Sequence, residues 1–165
     1  MDEQKLTAAQ KALRLDDIYV RSVSAELGED VIPFVHFAET TQMRAQMRHG
    51  AQKHTLITQV DTNSQEHRYV EFLVEFGARF FDSSVTDDEV KEQQVPAEKI
   101  IASVTARFAL LYAITSDVDE DCLREFGKHN APFHAWPYWR ELLNSASSRL
   151  KMPAPLLPMY RRSAD

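Results

Sequence analysis

Two runs of strict alternation dominate the chain. From Tyr69 to Phe81, the residues Val70, Phe72, Val74, Phe76, Ala78 and Phe80 make one apolar face. The opposite face, Tyr69, Glu71, Leu73, Glu75, Gly77, Arg79 and Phe81, is mostly polar. From Ile100 to Thr115 the even positions Ile100 to Ile114 repeat the pattern. Period two over this length predicts two strands, each with one face on a core. Leu13 to Glu26 is rich in β-branched residues and predicts a further strand, with a bulge at Asp16–Asp17 where the alternation changes phase. His54 to Asp61 predicts another, followed by a polar turn at Thr62 to Gln65.

Helical spacing enters only in the last third. Trp139, Leu142, Leu143, Ala146 and Leu150 fall on one side of a helix that Asn130 is placed to cap. Pro132 sits harmlessly in its first turn, whereas Pro137 should bend or loosen it near Trp136. Asp117 with Glu120 reads as a capping box opening a preceding helix to about Lys128. Met1 to Ala12 predicts a frayed end or a short helix. Between Val31 and Gly50 the pattern predicts a crossover. Pro33 demotes its first half to an edge or loop, and TTQMRAQMRHG is read as a helical turn or two ended by Gly50. Ser83 to Lys99 is acidic, carries Pro96 and predicts an exposed connection.

Strands first and helices last predict an α+β fold: a four-stranded antiparallel sheet with a Greek-key-like crossover and a long C-terminal helix on one face. At 165 residues one domain is expected, with strands and crossover over 13–115, helices over 117–150 and a Pro/Leu tail over 151–165.

Composition narrows the function. A net charge of −6 argues against nucleic acid as a partner, because phosphate affinity comes from clustered Lys and Arg. Cys122 stands alone, so no disulfide framework is expected. The acidic N-terminus is unlike a signal peptide and no apolar run is long enough to span a bilayer, which together favour a cytoplasmic protein without membrane insertion. Four isolated glycines form no phosphate loop, so no nucleotide or other cofactor is expected.

Three stretches resemble the SecB family of export chaperones, which hold unfolded polypeptides without ATP. LRLDDIYVRSVSAE, with Ile18–Tyr19, is similar to the family's opening strand, and VDTNSQEHRYVEFLVEF to its second and third strands. In NAPFHAWPYWRELLNSASSR, Pro132, Trp136–Pro137–Tyr138 and Arg140–Glu141 fit a C-P-N-x-x-F-P-Y-x-R-E pattern. The segment from Met152 to Tyr160 then fits the proline and leucine tail. The resemblance implies a SecB-like fold, a tetramer built as a dimer of dimers, unfolded or pre-secretory polypeptides as clients, and delivery to the SecA motor for translocation. Departures qualify this. The second C-terminal helix that flanks the family's client groove is not expected here, and an acidic insertion joins the third and fourth strands. Of the acidic residues that dock SecA only Glu26 matches, while Ser22, Ser103 and Thr105 stand where acids are expected.

The candidate client-binding set is Phe34, Phe37, Leu56 and Val60 on one wall, facing Trp136, Tyr138 and Leu142 on the other; Glu26 is the candidate motor-docking residue. The alternative for the apolar residues is simple core packing. Leu73, Phe81, Ile101 and Leu111 make the polar sheet face more apolar than solvent requires, which points to a subunit contact. Cys122, His129 and His134 are spaced too widely for a zinc site, and no metal is expected. No paired nucleophile and base is recognisable, so catalysis is not expected. Glu71 and Glu75 beside Arg79 read as a solvated strand face. The leading expectation is a holding chaperone; the alternative is a SecB-like chaperone dedicated to one partner, such as an antitoxin, with no role in general export.

Overall fold

The structure is a computed structural model, and it describes residues 1–37, 43–91, 95–157 and 160. Four long strands, β1 (Leu13–Leu27), β2 (Met43–Val60), β3 (Glu66–Asp82) and β4 (Ile100–Ile114), form one antiparallel sheet in the order β1-β4-β3-β2. The chain crosses from one edge to the other between β1 and β2, then returns as a meander. The α+β fold, its sheet and its crossover agree with the sequence pattern. Register shifts between Leu15 and Asp17, and again between Val20 and Ser22, mark bulges in β1, the first where the phase change predicted it.

One face of the sheet carries the core. Val70, Phe72, Val74, Phe76, Phe80, Val104, Phe108, Leu110 and Tyr112 are all buried there. Two helices cover them: α4 (Glu120–His129) and α5 (Ala131–Arg149). Trp139 stacks on Phe76 with centroids 5.6 Å apart and planes 14° from parallel, while Phe126 packs on Phe72 and Tyr112. Each such ring contributes about 1.5–3 kcal/mol by leaving water. α5 runs unbroken through Pro137, which lies on its exposed side.

Several expectations change. Residues Glu3–Ala12 form a full helix, α1, capped by the Asp2 side chain and docked through Leu6, Ala9 and Ala12. Lys5 Nζ lies 2.9 Å from Asp121 of α4. The helical turns expected before Gly50 are instead the first half of β2, because Arg44, Gln46 and Arg48 alternate with Ala45, Met47 and His49 and pair residue by residue with β3. Residues 38–42 of that reading lie outside the described residues. Pro33 opens a single helical turn, α2 (Pro33–His36). Asn130 separates α4 from α5 with helical dihedrals, and its side chain makes no cap. The cap of α4 is Asp119, which accepts from the Cys122 N–H at 2.8 Å; Asp117 pairs with Arg68 instead.

The acidic insertion is not simply exposed. A short helix, α3 (Asp87–Lys91), and a 3₁₀ turn at Ala97–Lys99 fold back against the polar face. Arg44 donates to the Val85 carbonyl and pairs with Asp87, and Gln46 donates to the Val90 carbonyl at 3.2 Å. Phe81, Val85 and Ile101 are buried apart from the main core. Phe81, expected on the wet face, is therefore covered by the insertion. Residues 92–94 of the expected exposed connection lie outside the described residues.

Candidate functional site

The helical cover is narrower than the sheet and leaves both edge strands partly open: Leu15, Val20 and Val23 of β1 and Leu56 and Val60 of β2 are exposed. Between β2 and α4 lies an open hollow of about 400 Å³. β2 supplies His49 to His54, with a register shift between Ala51 and Lys53, and α4 supplies Arg124, Gly127, Lys128 and His129. Phe72 forms the floor. The depth depends on Gly127, since a Cβ there would sit 2.9 Å from the Phe72 ring. One flank is fixed by His54 Nε2, 2.9 Å from Glu120 Oε1, and His129 Nε2 lies 3.2 Å from Glu125 Oε1.

The other end of the hollow is closed by the tail. Tyr160 folds back so that its ring lies 5.2 Å from His49, 5.4 Å from Trp136 and 5.9 Å from Phe133. His49 is thereby held among Phe76, Trp136 and Tyr160, and burial lowers its pKa below the ordinary 6.5. Met152, also buried, anchors the start of the tail.

The proposed client residues are dispersed along this edge. Leu56 is 55% exposed and Val60 58%, both beyond the helical cover on the core face of β2, whereas the exposed Ile57 points to the polar face. Phe34, 94% exposed, and the partly buried Phe37 flank the opposite end of the sheet, before β2 begins. From Met43 to Leu56 is roughly 40 Å of strand, so these pairs do not form one compact wall. Trp136 is only 9% exposed and belongs to the core; Leu142 is partly buried against it, and Tyr138 faces solvent. Glu26 is exposed at the far end of β1, where the Ser24 hydroxyl donates to it.

Other candidates resolve into local structure. Glu71 accepts from both Tyr19 and Arg21, and Glu75 lies 3.3 Å from Arg48, so both act within the sheet face. His134 Nδ1 is 2.7 Å from the Tyr112 hydroxyl, whose pKa burial pushes up, and Cys122 is buried beside Asp119. Among the described residues no cluster of three or more His, Cys, Asp or Glu could hold a metal, and no helix is long and apolar enough to cross a membrane. Sequence reasoning missed the α4 wall. Its signal was the spacing of Arg124, Gly127 and Lys128, which shares one helical face.

This arrangement of sheet, crossover, covering helices and tail is the fold of the SecB-like chaperones. Among solved structures the chain is similar to Mycobacterium tuberculosis Rv1957, a SecB-like chaperone in complex with a ChAD peptide from the Rv1956 HigA1 antitoxin. The TM-score is 0.64 at 14% sequence identity, over 96% of this chain and 98% of that one. No family model and no curated protein matches the chain.

Proposed function

We propose that this protein is an ATP-independent holding chaperone that binds extended, non-native polypeptide along the open edge of β2. The observation that carries the reading is the groove between β2 and α4, with exposed apolar residues continuing past it on a SecB-like fold. A client segment lying there would bury apolar side chains against Leu56, Val60 and the Phe72 floor, and could pair with the free edge of β2. Phe34 and Phe37 then serve as a second, separate contact. Trp136 acts from beneath by supporting Tyr160, and Tyr138 and Leu142 extend the apolar border along α5. Chemistry is not part of this reading.

A dedicated client fits at least as well as general export. The structural neighbour holds a peptide from an antitoxin, and this chain retains only Glu26 of the expected SecA-docking acids. We favour one or a few partner proteins over a broad pre-secretory clientele, in a cytoplasmic setting. A homo-oligomer, a tetramer of two dimers, would multiply the grooves and raise avidity for a long client. Its local support is reduced, since the insertion already covers Phe81 and Ile101 and leaves Leu73 and Leu111 half-buried.

An aggregation assay tests the reading. A model client diluted from denaturant should stay soluble with this protein and no nucleotide. Protection that requires ATP, or none at any ratio, would overturn it.

A further inference from the structure

The middle of the polar face of the sheet carries the opposite charge to the chain as a whole. Across its middle the strands present Arg21, Arg48, Lys53, Arg79 and Arg107, against the carboxylates Glu71 and Glu75. At its ends Arg14 is offset by Asp17 and Glu26. The insertion brings Asp87 onto Arg44 and Glu89 onto Lys99, so the excess of cations is confined to the middle of the face. A protein of net charge −6 thus concentrates an excess of cations on one surface.

These cations surround two hollows. The first, about 220 Å³, has Arg48 and Arg79 at its rim and Gly77, Ser103 and Thr105 at its base. Gly77 leaves room beneath Arg48: a Cβ there would lie 3.0 Å from Arg48 Nε, so the side chain passes close over the glycine. The second, about 370 Å³, is lined by Arg21, Ser22, Lys53, Glu71, Leu73 and Arg107. Within the face the cations are incompletely balanced. Arg21 is engaged by Glu71 and Arg48 only loosely by Glu75; Arg107 donates to the Ser22 hydroxyl at 3.0 Å, and Arg79 meets no carboxylate among the described residues.

We infer that this face docks an acidic polypeptide segment, seating carboxylates in the two hollows. A planar guanidinium fork matches a carboxylate in two parallel hydrogen bonds, and the hydroxyls of Ser103 and Thr105 supply further donors. Leu73 and Gly77, which mark the hollows, are roughly 13 Å apart along β3, the reach of an extended segment with acids about four residues apart. Glu71 and Glu75 sit between the cations, where an unbroken row of phosphates would meet them, so a protein partner is favoured over nucleic acid or an anionic membrane. The surface lies on the side of the sheet away from α4 and α5, so an acidic partner and a held client can be bound together.

The test is fluorescence anisotropy with the full chain and four probes: a labelled peptide of alternating Glu and Ser, its Lys–Ser counterpart, mixed-sequence duplex DNA, and vesicles of phosphatidylglycerol in phosphatidylcholine. The Glu–Ser peptide should bind and weaken as salt is raised. Arg79→Glu and Arg48→Glu should each weaken it by about tenfold, the scale of one lost charge-assisted hydrogen bond, while Arg140→Glu on α5 should not. Arg79 is exposed, so its variant keeps the fold and should suppress client aggregation like the parent chain, which separates failure here from failure of the holding reading. No binding of the acidic peptide, binding indifferent to Arg79→Glu, or tighter binding of DNA or vesicles lost with the same substitutions would each overturn the proposal.

Discussion

His49 couples the tail to the core. The residue is exposed at the surface, yet its ring lies against Phe76, Trp136 and Tyr160, and that partial desolvation lowers its pKa below 6.5. The unfolded chain then takes the proton more readily than the folded one. The stability contributed by the neutral ring is present above about pH 6.5 and is lost as pH falls through the lowered folded value. The melting temperature should therefore drop between neutral and mildly acidic pH, and His49→Leu should flatten that part of the profile; an unchanged profile would show that another group titrates there. Gly127 makes a second prediction. Alanine would gain about 1 kcal/mol of helix propensity, yet its Cβ would collide with the Phe72 ring, and overpacking costs about 1–3 kcal/mol. Gly127→Ala should lower the denaturation midpoint and make the groove shallower. A rise would mean that Phe72 moves aside.

Among the elements, the acidic insertion departs furthest from its reading. Thr86 and Glu89 form a reciprocal cap on α3: the Thr86 N–H donates to Glu89 Oε2 at 2.8 Å, and the Glu89 N–H to Thr86 Oγ1 at 3.3 Å. With Lys99 2.9 Å from its other oxygen, Glu89 is held down to about pKa 2. Its contribution is present above about pH 4.5 and is lost as pH falls toward 2, so the insertion should open in acid before the sheet melts. Binding of an apolar dye should rise first there. Val85→Ser, which places a hydroxyl beside Phe81 and Ile101, should cost about 1–3 kcal/mol in denaturant titrations and raise dye binding at neutral pH. The cap was legible in Thr86-Asp87-Asp88-Glu89; what local pattern could not reveal is that the insertion finds apolar surface to cover. β2 was legible for a similar reason only in part. Its alternation is present, but Met, Ala, Gln and Arg are good helix formers, and pairing with β3 overrides their local preference. β3, β4 and α5 were readable because burial on one face imposes its period directly. Trp136 falls in the same helical stripe as Trp139 and Leu143, which is why it packs inward, whereas the exposure of Leu56 depends on where α4 begins, more than sixty residues away.

At the scale of the molecule, the two faces of the sheet differ: one is covered by helices that leave the groove beside β2, and the other carries the cationic hollows. Purified SecA should consequently bind weakly through the sheet, and Glu26→Ala should leave client holding intact. Tight, salt-sensitive binding abolished by Glu26→Ala would show that one acid suffices. The central claim is that clients lie along β2 and α4, and amide hydrogen exchange with a permanently unfolded probe, such as reduced and carboxamidomethylated lactalbumin, tests it most directly. Bound client should slow exchange in residues 49–57 of β2 and throughout α4, leaving α1 and the exposed edge of β1 unchanged. Protection confined to β1 or to the residues lining the cationic hollows, or none while aggregation is suppressed, would contradict the account.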